Sequence, residues 1–168
     1  ETPDGKPLLL RKGATPVAAD RAASELWTRN LAAIGLRTEF LVQKWPELNK
    51  MAEAGQLQIW NLAWITNVPD ADPFYSPLYS RNIGLSNDAR LKLAEYDQAY
   101  ERMGGLPEGP ERQATSRRMN ELVAAYAPWI LETYSYQNRL VQPWLRGVKL
   151  HPFLSAPWAY YDVARPGP

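Results

Sequence analysis

A chain of 168 residues, 45% of them hydrophobic, has enough apolar matter to bury one core, which excludes a disordered chain. Its 19 basic against 18 acidic residues create no field that would draw nucleic acid or an anionic bilayer. The absence of cysteine excludes a disulfide framework, thiolate metal ligands and a cysteine nucleophile. The opening ETPDGKPLLLRKG has no initiating methionine and no apolar run long enough for a signal peptide or a membrane span, so it reads as a piece of a longer chain.

Residues 8–10, between Pro7 and RKGATP, predict a short buried strand that ends near Arg11 in a glycine-containing loop. From about residue 18 to 34, Ala23, Leu26, Trp27, Leu31 and Ile34 share one helical face. Gly35 then supplies the left-handed position after the helix, where Leu36 can fold back on Leu31. Residues 36–42 alternate well enough for a second strand. WPELNKMAEAG reads as a short helix with Pro46 in its first turn and Gly55 at its end, and LQIWNLAW, residues 57–64, as a third strand. Strand, helix, strand, helix, strand with short links is the pattern of a parallel sheet built from crossovers, an α/β fold of one domain.

Two further helices are predicted, at about 87–103 with the stripe Leu93, Tyr96, Tyr100 and Met103, and at 110–126 with Met119, Leu122, Val123 and Tyr126. GGLPEG between them is a turn and not a phosphate loop, because it lacks the lysine and no strand precedes it. Beyond Pro128, WILETYSY and RLVQPWL are expected as strands or extended segments, followed by an irregular tail. Seven tryptophans and nine tyrosines exceed what a core of this size requires, and several stand beside proline, in KWPE, APWI, QPWL and APWA. Rings held by proline-rich segments can line a ligand cleft, or simply pack under long loops.

In an open α/β sheet a ligand sits outside the carboxyl ends of the strands, at the crevice where crossovers diverge. With the order two-one-three, residues 11–15 and 63–67 border that crevice. Trp64 then offers a flat apolar face, Ile65 a backbone edge, and Thr66 and Asn67 hydrogen-bonding groups; the bland alternative places Trp64 in the core and Asn67 at a turn. Asp70 and Asp72, before Pro73, fit a turn and helix start better than a catalytic pair. His151 is the single histidine and no G-x-S-x-G elbow accompanies it, so a serine triad has no support. Zinc and EF-hand spacings are absent as well, no cofactor is called for, and no carboxylate pair is singled out. Arg139, Arg146 and Lys149 read as a solvated strand face.

PDGKPLLL, the run ELWTRNLAAIGLRTEFLVQKWPELNKMAEAGQLQIWNLAW, the acid- and proline-rich stretch after it, and AYAPWILETYSYQNRLVQPWLRGV together resemble the carboxyl-terminal lobe of the peptide- and oligopeptide-type (family 5) solute-binding proteins of ABC importers. The likeness covers nearly the whole chain in order. It implies a type II periplasmic-binding-protein-like lobe: mainly parallel sheet with helices on both faces, most of one lobe of a two-lobed receptor, periplasmic or lipid-anchored. Such a receptor encloses a peptide-like or other small solute against an N-terminal lobe missing here and delivers it to a membrane permease, without catalysis. It further implies that Trp45 and Trp64 border the ligand chamber, that Ile65 offers backbone contacts, and that Tyr134 stands near the chamber as an aromatic. Peptide-binding members carry an aspartate for the ligand's α-amino group where this chain has Asn67, so a free-amine peptide is not the expected solute. Other uses of such a lobe are a sensor within a transcriptional regulator, or a carboxylate-dependent hydrolase.

Overall fold

The computed structural model describes residues 5, 8–66, 68–134, 136, 138–149, 151, 153 and 156–164. β1 (Leu9–Ala14) and β2 (Arg37–Val42) pair in parallel, with Leu9 opposite Arg37 and Ala14 opposite Val42. α1 (Ala18–Ala32) connects them and ends as its sequence predicts: Gly35 takes φ +79° and the Leu36 N–H reaches the Leu31 carbonyl at 2.9 Å. α2 (Trp45–Glu53) carries Pro46 in its first turn and closes the same way at Gly55, with the Gln56 N–H on the Met51 carbonyl at 2.8 Å.

β1 does not stop near Arg11 but runs on through Gly13 to Ala14. The glycine belongs to the strand because the sheet is crowded there: a Cβ on Gly13 would lie 3.0 Å from Leu48 Cδ2 and 3.3 Å from Leu57 Cδ1. A glycine inside a strand marks such a close approach as often as it marks a loop. The expected third strand is reduced to one parallel bridge, Ile59 beside Lys12, with the Gly13 N–H bonded to the Ile59 carbonyl at 2.7 Å. Its ladder is interrupted because the Arg11 N–H is taken at 2.8 Å by the Gln58 side chain instead of a backbone carbonyl. β1 nevertheless lies between β2 and the Ile59 segment, so the order two-one-three holds in outline.

Neighbouring strand residues point to opposite faces. Lys12 meets Trp27 of α1, whereas Gly13 meets Leu48 of α2, so the two helices cover opposite sides of the sheet. The apolar face expected of α1 is only partly covered: Ala23, Trp27 and Leu31 are half-buried, while Leu26 and Ile34 stay exposed.

The second part of the chain is helical. α3 (Asp72–Tyr75) leads through two 3-10 turns, Ser76–Leu78 and Ser80–Asn82, to α4 (Ala94–Gly104) and α5 (Pro110–Tyr126). Tyr75, Leu78, Tyr96, Met103, Met119 and Leu122 form its core. α5 has the predicted bounds, but Tyr126 leaves the stripe and is exposed. α4 begins later than residue 87, because Asn87 is a buried loop hub. Its Nδ2 donates to the carbonyls of Tyr79 and Leu91, and its Oδ1 accepts the Leu91 N–H. Side-chain bonds of this kind compete with the helix and delay its start. Past Pro128, where strands or extended segments are expected, the described residues of 129–136 form no strand. The next regular pairing is β3 (Leu145–Arg146) antiparallel to β4 (Asp162–Val163).

Candidate functional site

The chain emerging from the Ile59 bridge presents Trp64 with 44% of its surface open. Its indole Nε1 donates to the Pro73 carbonyl at 2.7 Å, which pins the ring against the start of α3 without sealing it. Ile65 follows, 88% exposed. Thr66 spends its hydroxyl locally, accepting the Val68 N–H at 3.1 Å and donating to the Val68 carbonyl at 3.0 Å. Asn67 lies outside the described residues. Trp45 opens α2 and is also 44% exposed, and Tyr134 is 93% exposed on the irregular segment after α5.

Two cavities lie elsewhere among the described residues, and neither is lined by Trp45, Trp64 or Tyr134. One, of about 710 Å³, lies at the carboxyl ends of β1 and β2 under α1, lined by Ala14, Thr15, Asp20, Thr28, Phe40 and Val42 among others. Asp20 accepts two bonds from Thr15 there, from its hydroxyl at 2.6 Å and its backbone N–H at 2.7 Å. The hydroxyl bond chiefly holds the Asp20 carboxyl below the usual aspartate range, with the backbone bond and the charge of Lys12 acting in the same direction against partial burial.

A carboxyl depressed in the fold contributes stability that is present above its unfolded pKa and is lost as pH falls through the folded value. Thr15→Val keeps the backbone bond and removes the hydroxyl. It is expected to raise the Asp20 pKa toward the ordinary value and to remove part of the acid resistance of this corner. A ¹³C-carboxyl titration of both proteins reads the change, and an unmoved Asp20 would refute the assignment.

The other cavity, about 530 Å³, is lined by Asp70, Arg112, Ser116 and Asn120, among others. Its cation is already satisfied. Arg112 binds Asp70 at 3.0 and 3.2 Å and Glu108 at 3.0 Å, and donates to the Met103 carbonyl at 2.7 Å. Asp70 also accepts the Asp72 N–H at 2.8 Å, the turn-closing role expected of it. That bond first, then Arg112, holds the Asp70 carboxyl low.

His151 is exposed and accepts the Phe153 N–H on Nδ1 at 3.1 Å. Among the described residues no group of three or more His, Cys, Asp or Glu could hold a metal ion, and no helix is long and apolar enough to cross a membrane.

One residue escaped the sequence reading. Lys12 is only 3% exposed; its Nζ donates to Asn61 Oδ1 at 2.7 Å and lies 5.5 Å from the centre of the Trp27 ring. Burial pushes its ammonium pKa down, opposed by the charges of Glu132 and Asp20. The alternation Leu10, Lys12, Ala14 along one face of a longer β1 would have revealed it, but a strand ended at Arg11 left Lys12 in a loop.

A parallel β1–β2 pair flanked by α1 on one face and α2 on the other is an α/β arrangement, and its fold is of the type II periplasmic-binding-protein kind. The fold of AppA, the oligopeptide-binding protein of Bacillus subtilis solved with a nonapeptide, matches with a TM-score of 0.72 at 14% identity over 96% of this chain and 33% of that one.

In sequence the chain is similar to heme-binding protein A of Haemophilus influenzae, 32% identical over 131 residues, and to di/tripeptide-binding protein 4 of Pseudomonas aeruginosa, 24% identical over 159 residues. These alignments cover 77% and 93% of this chain but 24% and 30% of the relatives, so the chain spans about a quarter to a third of their length. No family model matches the chain. In sequence and fold together, the chain resembles part of the peptide- and oligopeptide-type (family 5) solute-binding proteins.

Proposed function

We propose that this chain is a single domain, most of the carboxyl-terminal lobe of a two-lobed solute receptor serving an ABC importer. The receptor works in the periplasm or as a lipid-anchored extracellular protein, and it binds without catalysis. The observation that carries the reading is the half-open Trp64, pinned to Pro73 on the chain that leaves the Ile59 bridge and followed by the exposed Ile65. A ring held in place before the solute arrives supplies apolar contact at little ordering cost. Trp45 and Tyr134 add aromatic walls, Thr66 and Asn67 polar recognition, and an opposing lobe closes over the solute by hinge motion.

The names of the two sequence relatives point to two solute classes, a heme and a short peptide. Asn67 weighs against an ordinary free-amine peptide. A hydrogen bond to a charged group contributes about 1.5–3 kcal/mol against about 0.5–1.5 kcal/mol for a neutral one. An ammonium enclosed beside a neutral amide would also lack its countercharge.

Native mass spectrometry of the full-length protein is expected to show a co-purified small molecule, and calorimetry with hemin and with di- to pentapeptides then sorts the classes. Turnover of the bound molecule, or no binding of any small solute, would refute the receptor. Tight peptide binding that weakens on N-acetylation would refute the argument from Asn67.

A further inference from the structure

Among the described residues Lys12 is the one charged side chain so deeply buried, and a buried ammonium needs countercharge. Asn61 gives it a neutral acceptor at 2.7 Å, and Asp20 is already engaged by Thr15. Two negative groups act on it, Glu132 first and Asp20 second; Glu132 lies 105 residues from Trp27 in the chain and accepts the Trp27 Nε1–H at 2.7 Å. Trp27 therefore faces two ways. Its ring lies beside the Lys12 ammonium, 5.5 Å from the centroid, while its N–H points to the Glu132 carboxylate. A cation at the π face draws electron density from the indole and strengthens its N–H as a donor, so the two contacts reinforce each other.

The segment that carries Glu132 has little else to hold it. Among the described residues from 129 to 134, the bond from Trp27 is the one hydrogen bond to another described element. Ile130, Leu131 and Tyr134 are all exposed. We infer that Glu132 is a positioning residue: through the indole of Trp27 and the buried charge of Lys12 it docks the irregular segment after α5 onto the α1 side of the sheet, and thereby sets where Tyr134 is presented. At about 3.3 Å of extended chain per residue, an anchor at 132 keeps the backbone of residue 134 within about 7 Å. The docking stands on its own contacts, whereas the use of Tyr134 as a chamber wall rests on the receptor reading above.

The test is made on the full-length protein, freed of any cysteine outside this cysteine-free chain and with no solute added, so failure of the receptor reading leaves it untouched. Selective ¹⁵N-tryptophan labelling reports the Trp27 indole proton, identified by its loss in Trp27→Phe. Spin labels at Tyr134→Cys and Arg29→Cys report the placement of the segment by electron double resonance.

Glu132→Ala is expected to move the Trp27 indole proton upfield and to broaden the distance distribution. Glu132→Gln, which retains an acceptor oxygen, is expected to restore much of both. Lys12→Met should shift the indole proton when Glu132 is present and much less in the Glu132→Ala background. An unmoved indole proton and an unchanged distribution in Glu132→Ala would overturn the proposal. So would additive effects of the Lys12 and Glu132 substitutions, or a Glu132→Gln variant indistinguishable from the unsubstituted protein, which would leave the charge no part in the docking.

Discussion

Tyr96→Ala is expected to cost about 3–5 kcal/mol of folding stability, the range for deleting a fully buried aromatic side chain. Tyr96 has no exposed surface and sits among Tyr75, Leu78, Met103 and Met119, where α4 packs on α5. Its hydroxyl donates to the Tyr75 carbonyl at 2.9 Å and so ties α4 back to α3. Burial pushes that hydroxyl's pKa well above its ordinary value, which keeps it a donor throughout the physiological range.

Tyr96→Phe separates the two contributions. It preserves the ring and removes the donor, at an expected cost of about 1–3 kcal/mol for the carbonyl left behind. Urea denaturation followed by far-ultraviolet dichroism measures both variants. A loss below about 1 kcal/mol for Tyr96→Ala would mean that this cluster is not the core of the helical part.

The second large effect concerns binding. Once the solute is identified, the isolated 168 residues are expected to bind it at least about 100-fold more weakly than the full-length protein, a difference of about 2.8 kcal/mol. Sites for small molecules bury most of the ligand surface, and under the receptor reading a single lobe supplies only part of the enclosing wall. Within the full-length protein, Trp64→Ala is expected to cost 2 kcal/mol or more, roughly thirtyfold, as for a tryptophan at the centre of an interface. Trp64→Phe should cost less, since it keeps an apolar face and loses only the indole bond to Pro73. Calorimetry on the four proteins decides the matter: nanomolar binding by the isolated chain would show that no second lobe is needed, and full affinity in Trp64→Ala would remove that ring from the site.

Lys12 links these two kinds of measurement. Replacing a buried charge by an apolar group of similar length is often neutral or stabilising, because desolvation is no longer opposed. Lys12→Met is therefore expected to leave folding stability unchanged or raised while it shifts the Trp27 indole proton, as denaturation and the labelled spectrum together would show.

The local rules of the chain carried far. Gly35 and Gly55 ended α1 and α2 where their sequence placed them, and α5 ran from Pro110 to Tyr126 as written. The parallel pairing of β1 with β2 followed from the alternation of strand and helix. Each of these depends on backbone preferences or on apolar spacing within a dozen residues, which a sequence displays directly.

What required the tertiary structure depends on neighbours distant in the chain. Gly13 is a strand residue because Leu48 and Leu57 press on it, and the residues near 87 form a loop because Asn87 finds the carbonyls of Tyr79 and Leu91. Trp64 was legible as a strand-end aromatic, but only the fold shows it held by Pro73 and still half open. Lys12, Trp27 and Glu132 lie far apart in sequence, and nothing local announces that the three meet. Their meeting is a property of the packed sheet and helix, since the energy of a buried charge depends on which groups the fold places around it.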